Sequence, residues 1–141
     1  MNVPDTLSMI LFSAFSALIA LADLKKGEVP RVAFVVAFPV FFAFGVVRGS
    51  FPLWESTAGL LAGLVIFLSA RAISGGKLGL ADVWYSALIG LVLGPCRWYG
   101  AAGLACAGGI IVMLVSGRRR IPFIPLMAFG SIAMLILIGG Q

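Results

Sequence analysis

Long apolar stretches occupy most of this 141-residue chain. Six of them approach the length of about 20 residues that an α-helix needs to cross a bilayer core about 30 Å thick. They cover Thr6 to Ala22, Val32 to Val47, Ser56 to Leu68 or Ile73, Leu80 to Gly94, Trp98 to Val115 and Ile121 to Ile138. Hydrophobic residues make up 62% of the chain and charged residues 11%, against about 45–50% and about 25% in soluble domains. The sequence therefore predicts one all-α, polytopic membrane domain over residues 1–141, with about six transmembrane helices.

The composition excludes several classes of functional site. The chain contains no histidine, which excludes Ser-His and Cys-His catalysis and the HExxH zinc site. Its two cysteines, Cys96 and Cys106, are too few for a four-thiolate zinc site. The net charge is +5, but the basic residues are few and are scattered between apolar runs, which argues against nucleic-acid binding. We expect no metal, no cofactor and no nucleic-acid partner.

The distribution of basic residues predicts the orientation in the membrane. Cytoplasmic loops of membrane proteins are enriched in Lys and Arg. With six spans, the first, third and fifth loops hold eight basic residues, namely Lys25, Lys26, Arg31, Arg71, Lys77, Arg118, Arg119 and Arg120. The opposite side holds two, Arg48 and Arg97. We therefore expect both termini outside and the three odd-numbered loops in the cytoplasm. Arg118, Arg119 and Arg120 are expected to contact anionic membrane lipid.

Small and aromatic residues indicate how the helices pack. Gly59 and Gly63 in the third run, and Gly90 and Gly94 in the fourth, have the GxxxG spacing that lets helix backbones approach closely. Packing within the chain is the simpler interpretation, and a homodimer face is the alternative. Two aromatic groups are predicted to face lipid or its interface: Phe34, Phe38, Phe41, Phe42 and Phe44 on the second helix, and Trp54, Trp84, Trp98 and Tyr99 near run ends.

Two aspartates lie on the predicted cytoplasmic side, each beside strongly apolar neighbours. Asp23 ends the first run and Asp82 begins the fourth. An ionisable group at membrane depth is a functional-site hypothesis by default, because burying it costs free energy. Two close carboxyls cannot both ionise easily, so one can take a proton from water while the other protonates a leaving amine. In the alternative interpretation each carboxylate pairs with a nearby base, such as Lys26, or faces water at a helix end.

Three separated segments form a more specific pattern. The segment Asp23–Pro30 places an Asp seven residues before a Pro, Gly79–Asp82 opens the fourth run, and Ile121–Gly130 opens the sixth with the pattern IPFIPxxxxG. In order, side and spacing these segments resemble the type IV prepilin peptidase family, which are bacterial membrane aspartic peptidases of the GxGD type. Because the segments extend from the first run to the last, the resemblance covers essentially the whole chain.

The resemblance implies a function and a location. It implies that Asp23 and Asp82 are the catalytic pair, and that the chain cleaves basic leader peptides from prepilin-like precursors, typically after a glycine. It places the enzyme in the bacterial cytoplasmic membrane with its site on the cytoplasmic face. The chain lacks the cysteine-rich domain of larger family members, so we expect a peptidase-only form without N-methylation.

Six further residues are predicted to bind substrate. Gly79 and Ala81 precede Asp82 in its motif, Glu28 is expected to attract a basic leader, and Lys77 supplies a cation near Asp82. Pro122 and Pro125 are expected to shape a non-helical segment beside the aspartates. The bland alternatives are a solvated loop acid for Glu28 and a simple helix start for the two prolines.

Two residues depart from the family pattern and keep other functions open. Ala81 replaces the second glycine of GxGD, and Trp84 stands where the family usually has Lys. These departures raise the hypothesis of a non-catalytic relative that acts in assembly or interaction. A small transporter is a further alternative, although no charged residue falls in the middle of a span. A Ser-Lys peptidase using Lys77 with Ser74 or Ser86 is a remote one.

Overall fold

The structure is a computed structural model, and it describes residues 3–27, 29–48, 53–117 and 122–139. These residues fold into α1 (Val3–Lys26), α2 (Arg31–Arg48), α3 (Leu53–Ile73), α4 (Leu80–Leu93), α5 (Pro95–Ser116) and α6 (Phe123–Gly139). Each apolar run corresponds to one helix, with boundaries that differ by a few residues. The all-α prediction is therefore confirmed.

Three of the helices are long and apolar enough to cross a membrane. They are the segments Thr6–Lys26, Leu53–Ile73 and Pro95–Ser116. The segments Arg31–Val47, Leu80–Leu93 and Phe123–Leu137 are apolar but shorter. That all six helices cross the bilayer, and that both termini lie outside, remain predictions.

Helix α4 lies at the centre of the bundle. It contacts α2, α3, α5 and α6, and most of its residues are buried. It has 14 residues, so at about 1.5 Å per residue it is shorter than a bilayer core is thick. The other helices surround it: α1 packs on α6 and α2, and α5 packs on α6 and α3. A central helix needs no polar face, which explains why its sequence is mostly apolar.

The closest helix contact is made by glycines. Helices α3 and α4 approach so closely that a Cβ atom on Gly59 would collide with the backbone carbonyl of Gly90, and one on Gly90 with the carbonyl of Gly59. One turn further along α3, a Cβ on Gly63 would lie 2.5 Å from the carbonyl oxygen of Ser86. The small residues at GxxxG spacing therefore serve packing within the chain, and the α3–α4 contact covers them.

The prediction that Trp98 belongs to an interfacial belt is wrong. Trp98 is only 2% exposed, and its indole N–H donates to the Ser86 hydroxyl at 3.0 Å. That hydroxyl in turn donates to the carbonyl of Gly63 at 3.2 Å. The ring of Phe67 packs edge-on against the indole. A buried indole needs such a partner for its N–H, and proximity to a run end in the sequence does not reveal one.

The prediction that all five phenylalanines of α2 face lipid is also wrong in part. Phe34 and Phe41 are 3% and 7% exposed, whereas Phe42 is exposed. Phe41 packs edge-on against Phe12 and Phe15 of α1. Because α2 is apolar on every side, its sequence does not show which face α1 and α4 cover.

Candidate active site

Helix α4 begins at a glycine that holds Asp82 in place. Gly79, the residue before the helix, has extended backbone angles, and Asp82 follows in the first turn. The Gly79 N–H donates to Oδ2 of Asp82 at 3.0 Å. A carboxylate in this position accepts a hydrogen bond from an N–H at the helix start that has no partner within the helix. Asp82 is 9% exposed, so its carboxyl is almost enclosed by the bundle.

Asp23 lies near the C-terminal end of α1, which reaches the same region of the molecule as the start of α4. It falls in the last turn and a half of α1, and its side chain is half-buried. The helix ends at Gly27, whose φ is +65° and whose N–H donates to the Asp23 carbonyl at 2.8 Å. A left-handed glycine is the common way to stop a helix, because no Cβ opposes that conformation. The helix thus ends within about one turn of Asp23.

Both aspartates line one open cavity of about 470 Å³. Its walls come from three segments of the chain, comprising Asp23, Gly27, Val29 and Arg31, then Gly79, Leu80, Ala81 and Asp82, then Pro122, Phe123 and Ile124. The two aspartates, which lie far apart in the sequence, therefore border the same space. Ligand pockets usually have volumes of about 300–1,000 Å³. The arrangement therefore offers an acidic pair in a space that can hold water and part of a peptide.

The structure brings together some of the residues singled out from the sequence and leaves others apart. Gly79, Ala81 and Pro122 line the cavity with the two aspartates. Lys77 is exposed in the α3–α4 connection, Pro125 is half-buried in the first turn of α6, and neither is among the residues that line the cavity. Glu28 lies outside the described residues.

Arg31 lines the cavity but was not predicted as a site residue. It is the first residue of α2, and it is the only basic side chain among the described residues that form the cavity wall. From the sequence, Arg31 was considered only as one of the basic residues of the first loop that predict the orientation in the membrane. Its position directly after Pro30, at the end of the Asp23 segment, is the signal that could have indicated it.

Nothing in the described parts of the chain resembles a metal site. Among those residues, no three His, Cys, Asp or Glu side chains come together where they could hold a metal ion. Cys96 and Cys106 are free and exposed.

Comparison with known proteins assigns the chain to a family. The family model described as the type IV leader peptidase family matches residues 10–139 of the 141-residue chain. The chain belongs to the type IV leader peptidase family. Comparison with curated proteins and with solved structures gave no significant match. The resemblance inferred from the three sequence segments is thus confirmed.

The two departures from the family pattern lie in different places. Ala81 is half-buried at the cavity wall, where its methyl group occupies space that a glycine would leave open. Trp84 is 40% exposed, is not among the cavity-lining residues, and packs edge-on against Phe38 of α2. Ala81 therefore bears on the shape of the cavity, whereas Trp84 contributes to the contact between α4 and α2.

The geometry does not favour a Ser-Lys pair in this family member. The Ser74 hydroxyl donates to the carbonyl of Arg71 at 3.0 Å and accepts from the N–H of Leu78 at 3.4 Å. Ser86 is fully buried against Trp98 and Gly63. Both hydroxyls are thus occupied in structural hydrogen bonds.

Replacing Gly79 by alanine is expected to displace the Asp82 carboxyl without unfolding the protein. The extended backbone of Gly79 suits any residue, but an added Cβ would lie 2.9 Å from Oδ2 of Asp82. The flexible carboxyl would move rather than the backbone. Misplacing a reacting group by about 1 Å can reduce a rate by about 100-fold.

Two measurements test this variant: the rate of leader-peptide cleavage, and the midpoint of unfolding of the protein in detergent. We expect Gly79→Ala to lose most activity at an unchanged midpoint. Gly103→Ala is the matched control, because a Cβ at Gly103 meets nothing within 4 Å. Full activity of Gly79→Ala would contradict the assignment of Asp82 to a closely fitted position.

Proposed function

We propose that this chain is a membrane aspartic endopeptidase that removes basic leader peptides from prepilin-like precursors at the cytoplasmic face of the bacterial inner membrane. The observation that supports this most strongly is the convergence of Asp23 and Asp82 on one open cavity. Membership of a leader peptidase family supports the same reaction. In this proposal, Asp23 and Asp82 are the catalytic pair.

The chemistry follows from a pair of carboxyls that together hold one proton. The ionised carboxyl takes a proton from a water molecule, and the oxygen of that water attacks the scissile carbonyl carbon. The protonated carboxyl donates a hydrogen bond to the carbonyl oxygen and stabilises the negative charge that develops there. As the C–N bond breaks, the pair delivers a proton to the leaving amine. Each cycle thus consumes one water and restores the shared proton.

The cavity walls support binding of a peptide segment. Leu80, Phe123 and Ile124 supply apolar surface, while Arg31 adds a cation that can hydrogen-bond a substrate carbonyl. The two acids attract the positive charge of a basic leader. Gly79, Ala81 and Pro122 are proposed to contact the peptide backbone, because they line the cavity with little side-chain bulk.

The test is cleavage of synthetic precursors by the full chain in lipid nanodiscs. Each peptide would carry a basic leader, a glycine and an apolar segment, and products would be identified by mass spectrometry. We expect cleavage after the glycine, and much slower cleavage of matched peptides in which phenylalanine replaces that glycine or glutamates replace the leader lysines.

The same assay separates the proposal from its main rival. Ala81 and Trp84 depart from the family pattern, which is the observation that favours a non-catalytic relative. If folded protein cleaves no peptide of the panel, the endopeptidase proposal fails and the non-catalytic role is supported.

A further inference from the structure

Arg71 contacts the segment that leads into Asp82. It lies in the last turn of α3, and its side chain is half-buried. Its guanidinium donates through Nη1 to the carbonyl oxygen of Leu78. Arg71 is not among the residues that line the cavity. The side chain therefore reaches the site only through the connection between α3 and α4.

The peptide group between Leu78 and Gly79 joins this arginine to the aspartate. The carbonyl of that peptide accepts from Arg71, and its N–H donates to Oδ2 of Asp82 at 3.0 Å. One rigid, planar peptide group thus accepts a hydrogen bond from the guanidinium through its carbonyl and donates one to the carboxylate through its N–H. Fixing the carbonyl fixes the direction of the N–H, because both belong to the same plane.

A second contact from the end of α3 holds the same segment. The Ser74 hydroxyl accepts from the N–H of Leu78 at 3.4 Å and donates to the carbonyl of Arg71 at 3.0 Å. Both backbone polar groups of Leu78 are therefore held, the carbonyl by Arg71 of α3 and the N–H by Ser74, the residue that follows α3. The intervening Gly75 and Gly76 have positive φ values of 65° and 80°. Glycines in this conformation leave the connection many alternatives, so the side chains of Arg71 and Ser74 select one of them.

We propose that Arg71 is a positioning residue, which acts through the Leu78–Gly79 peptide group to orient and stabilise the carboxylate of Asp82. A hydrogen bond from a cation is stronger than one between neutral groups. Because hydrogen bonds in a chain polarise one another, the guanidinium makes the Gly79 N–H a better donor. This inference rests on the proposed function, since it assigns Asp82 a role in catalysis.

Substitutions at Arg71 test the kinetic consequence. Arg71→Met removes both charge and donors, and we expect kcat for leader cleavage to fall about 10- to 100-fold, as for loss of a charged hydrogen bond. KM should change little, because Arg71 does not line the cavity. Arg71→Lys keeps the charge and one donor direction, and it should recover a large part of kcat. Lys25→Met removes an exposed cation at the end of α1 and should leave kcat unchanged.

Hydrogen exchange of the Gly79 amide gives a readout that does not depend on activity. Exchange would be resolved at Gly79 by fragmentation mass spectrometry, with amides of α5 as an internal reference. We expect faster exchange at Gly79 in Arg71→Met, recovery in Arg71→Lys, and no change in α5. Faster exchange throughout the protein would instead mean general destabilisation and would overturn the proposal.

The two readouts separate failure of this inference from failure of the proposed function. If the wild type cleaves no peptide, the endopeptidase function fails, while Gly79 exchange still decides whether Arg71 orders the peptide group. If the wild type is active and Arg71→Met matches it in both kcat and Gly79 exchange, the positioning role is overturned. An unchanged kcat combined with a raised KM in Arg71→Met would also contradict it, because that result would indicate that Arg71 binds substrate directly.

Discussion

Asp82→Asn is expected to abolish leader removal while the protein still folds. The amide is nearly isosteric with the carboxyl, and its oxygen can still accept the hydrogen bond that the Gly79 N–H donates to Asp82 at 3.0 Å. It cannot take a proton from water or return one to the leaving amine. General acid–base catalysis contributes about 10²- to 10⁴-fold to a rate, so a loss within that range or greater is expected.

Asp23→Asn should have a comparable effect, because the two carboxyls work as a unit. Catalytic groups of this kind are far from additive, so the double variant should be little worse than either single one. Initial cleavage rates in nanodiscs, with the unfolding midpoint measured beside them, give the comparison. Glu55→Gln is the matched control, since it makes the same carboxyl-to-amide change in the first turn of α3, at the opposite helix end from Arg71. Normal processing by both Asp variants would refute the assignment of the catalytic pair.

Gly59→Ala is expected to have the largest effect on stability. The added Cβ would collide with the backbone carbonyl of Gly90, and it would also lie 2.9 Å from the backbone carbon of Gly94. Backbone atoms of two packed helices cannot move aside separately, so α3 and α4 would have to part. Overpacking of this kind costs about 1–3 kcal/mol or more. The loss should also disturb the Gly63–Ser86–Trp98 hydrogen bonds at the same contact.

Equilibrium unfolding in mixed micelles, followed by tryptophan fluorescence, measures this effect. Gly103→Ala again provides the control, and it should be neutral or slightly stabilising because alanine favours helix. Gly59→Ala and Gly90→Ala disrupt the same contact, so their combined cost should be less than the sum of the two. A midpoint for Gly59→Ala equal to that of Gly103→Ala would mean that the two helices do not pack as described.

The helices were largely predictable because their signal is local. A run of apolar residues bounded by turn residues marks a helix in lipid, and Gly94–Pro95 marked the break between α4 and α5 in the sequence itself. Which side of a helix is buried was not predictable in the same way. In soluble proteins a polar face indicates the exposed side, but α2 has no polar face to contrast with its buried Phe34 and Phe41.

The sequence motifs predicted some of the residues of the candidate site, but they did not predict every residue that lines the cavity. Asp23, Gly79 and Asp82 were indicated by their spacing and neighbours, and they line the cavity together. Arg31 was missed because its position directly after Pro30 is the one local feature that separates it from an ordinary loop arginine. Lys77 was expected near the site because it is close in sequence, yet it is exposed and is not among the residues that line the cavity. Being close to Asp82 in the sequence does not by itself place a side chain of the connecting segment in the cavity.

The amino-acid order by itself determined the class of the protein, the helices and the family, since each depends on composition or short-range patterns. The tertiary structure decided what those patterns leave open. It brought the ends of α1 and α4 and the start of α6 around one cavity, packed α3 and α4 through facing glycines, and linked Arg71 to Asp82 across one peptide group. These features depend on contacts between residues far apart in the chain, and such contacts form only when the helices have packed together.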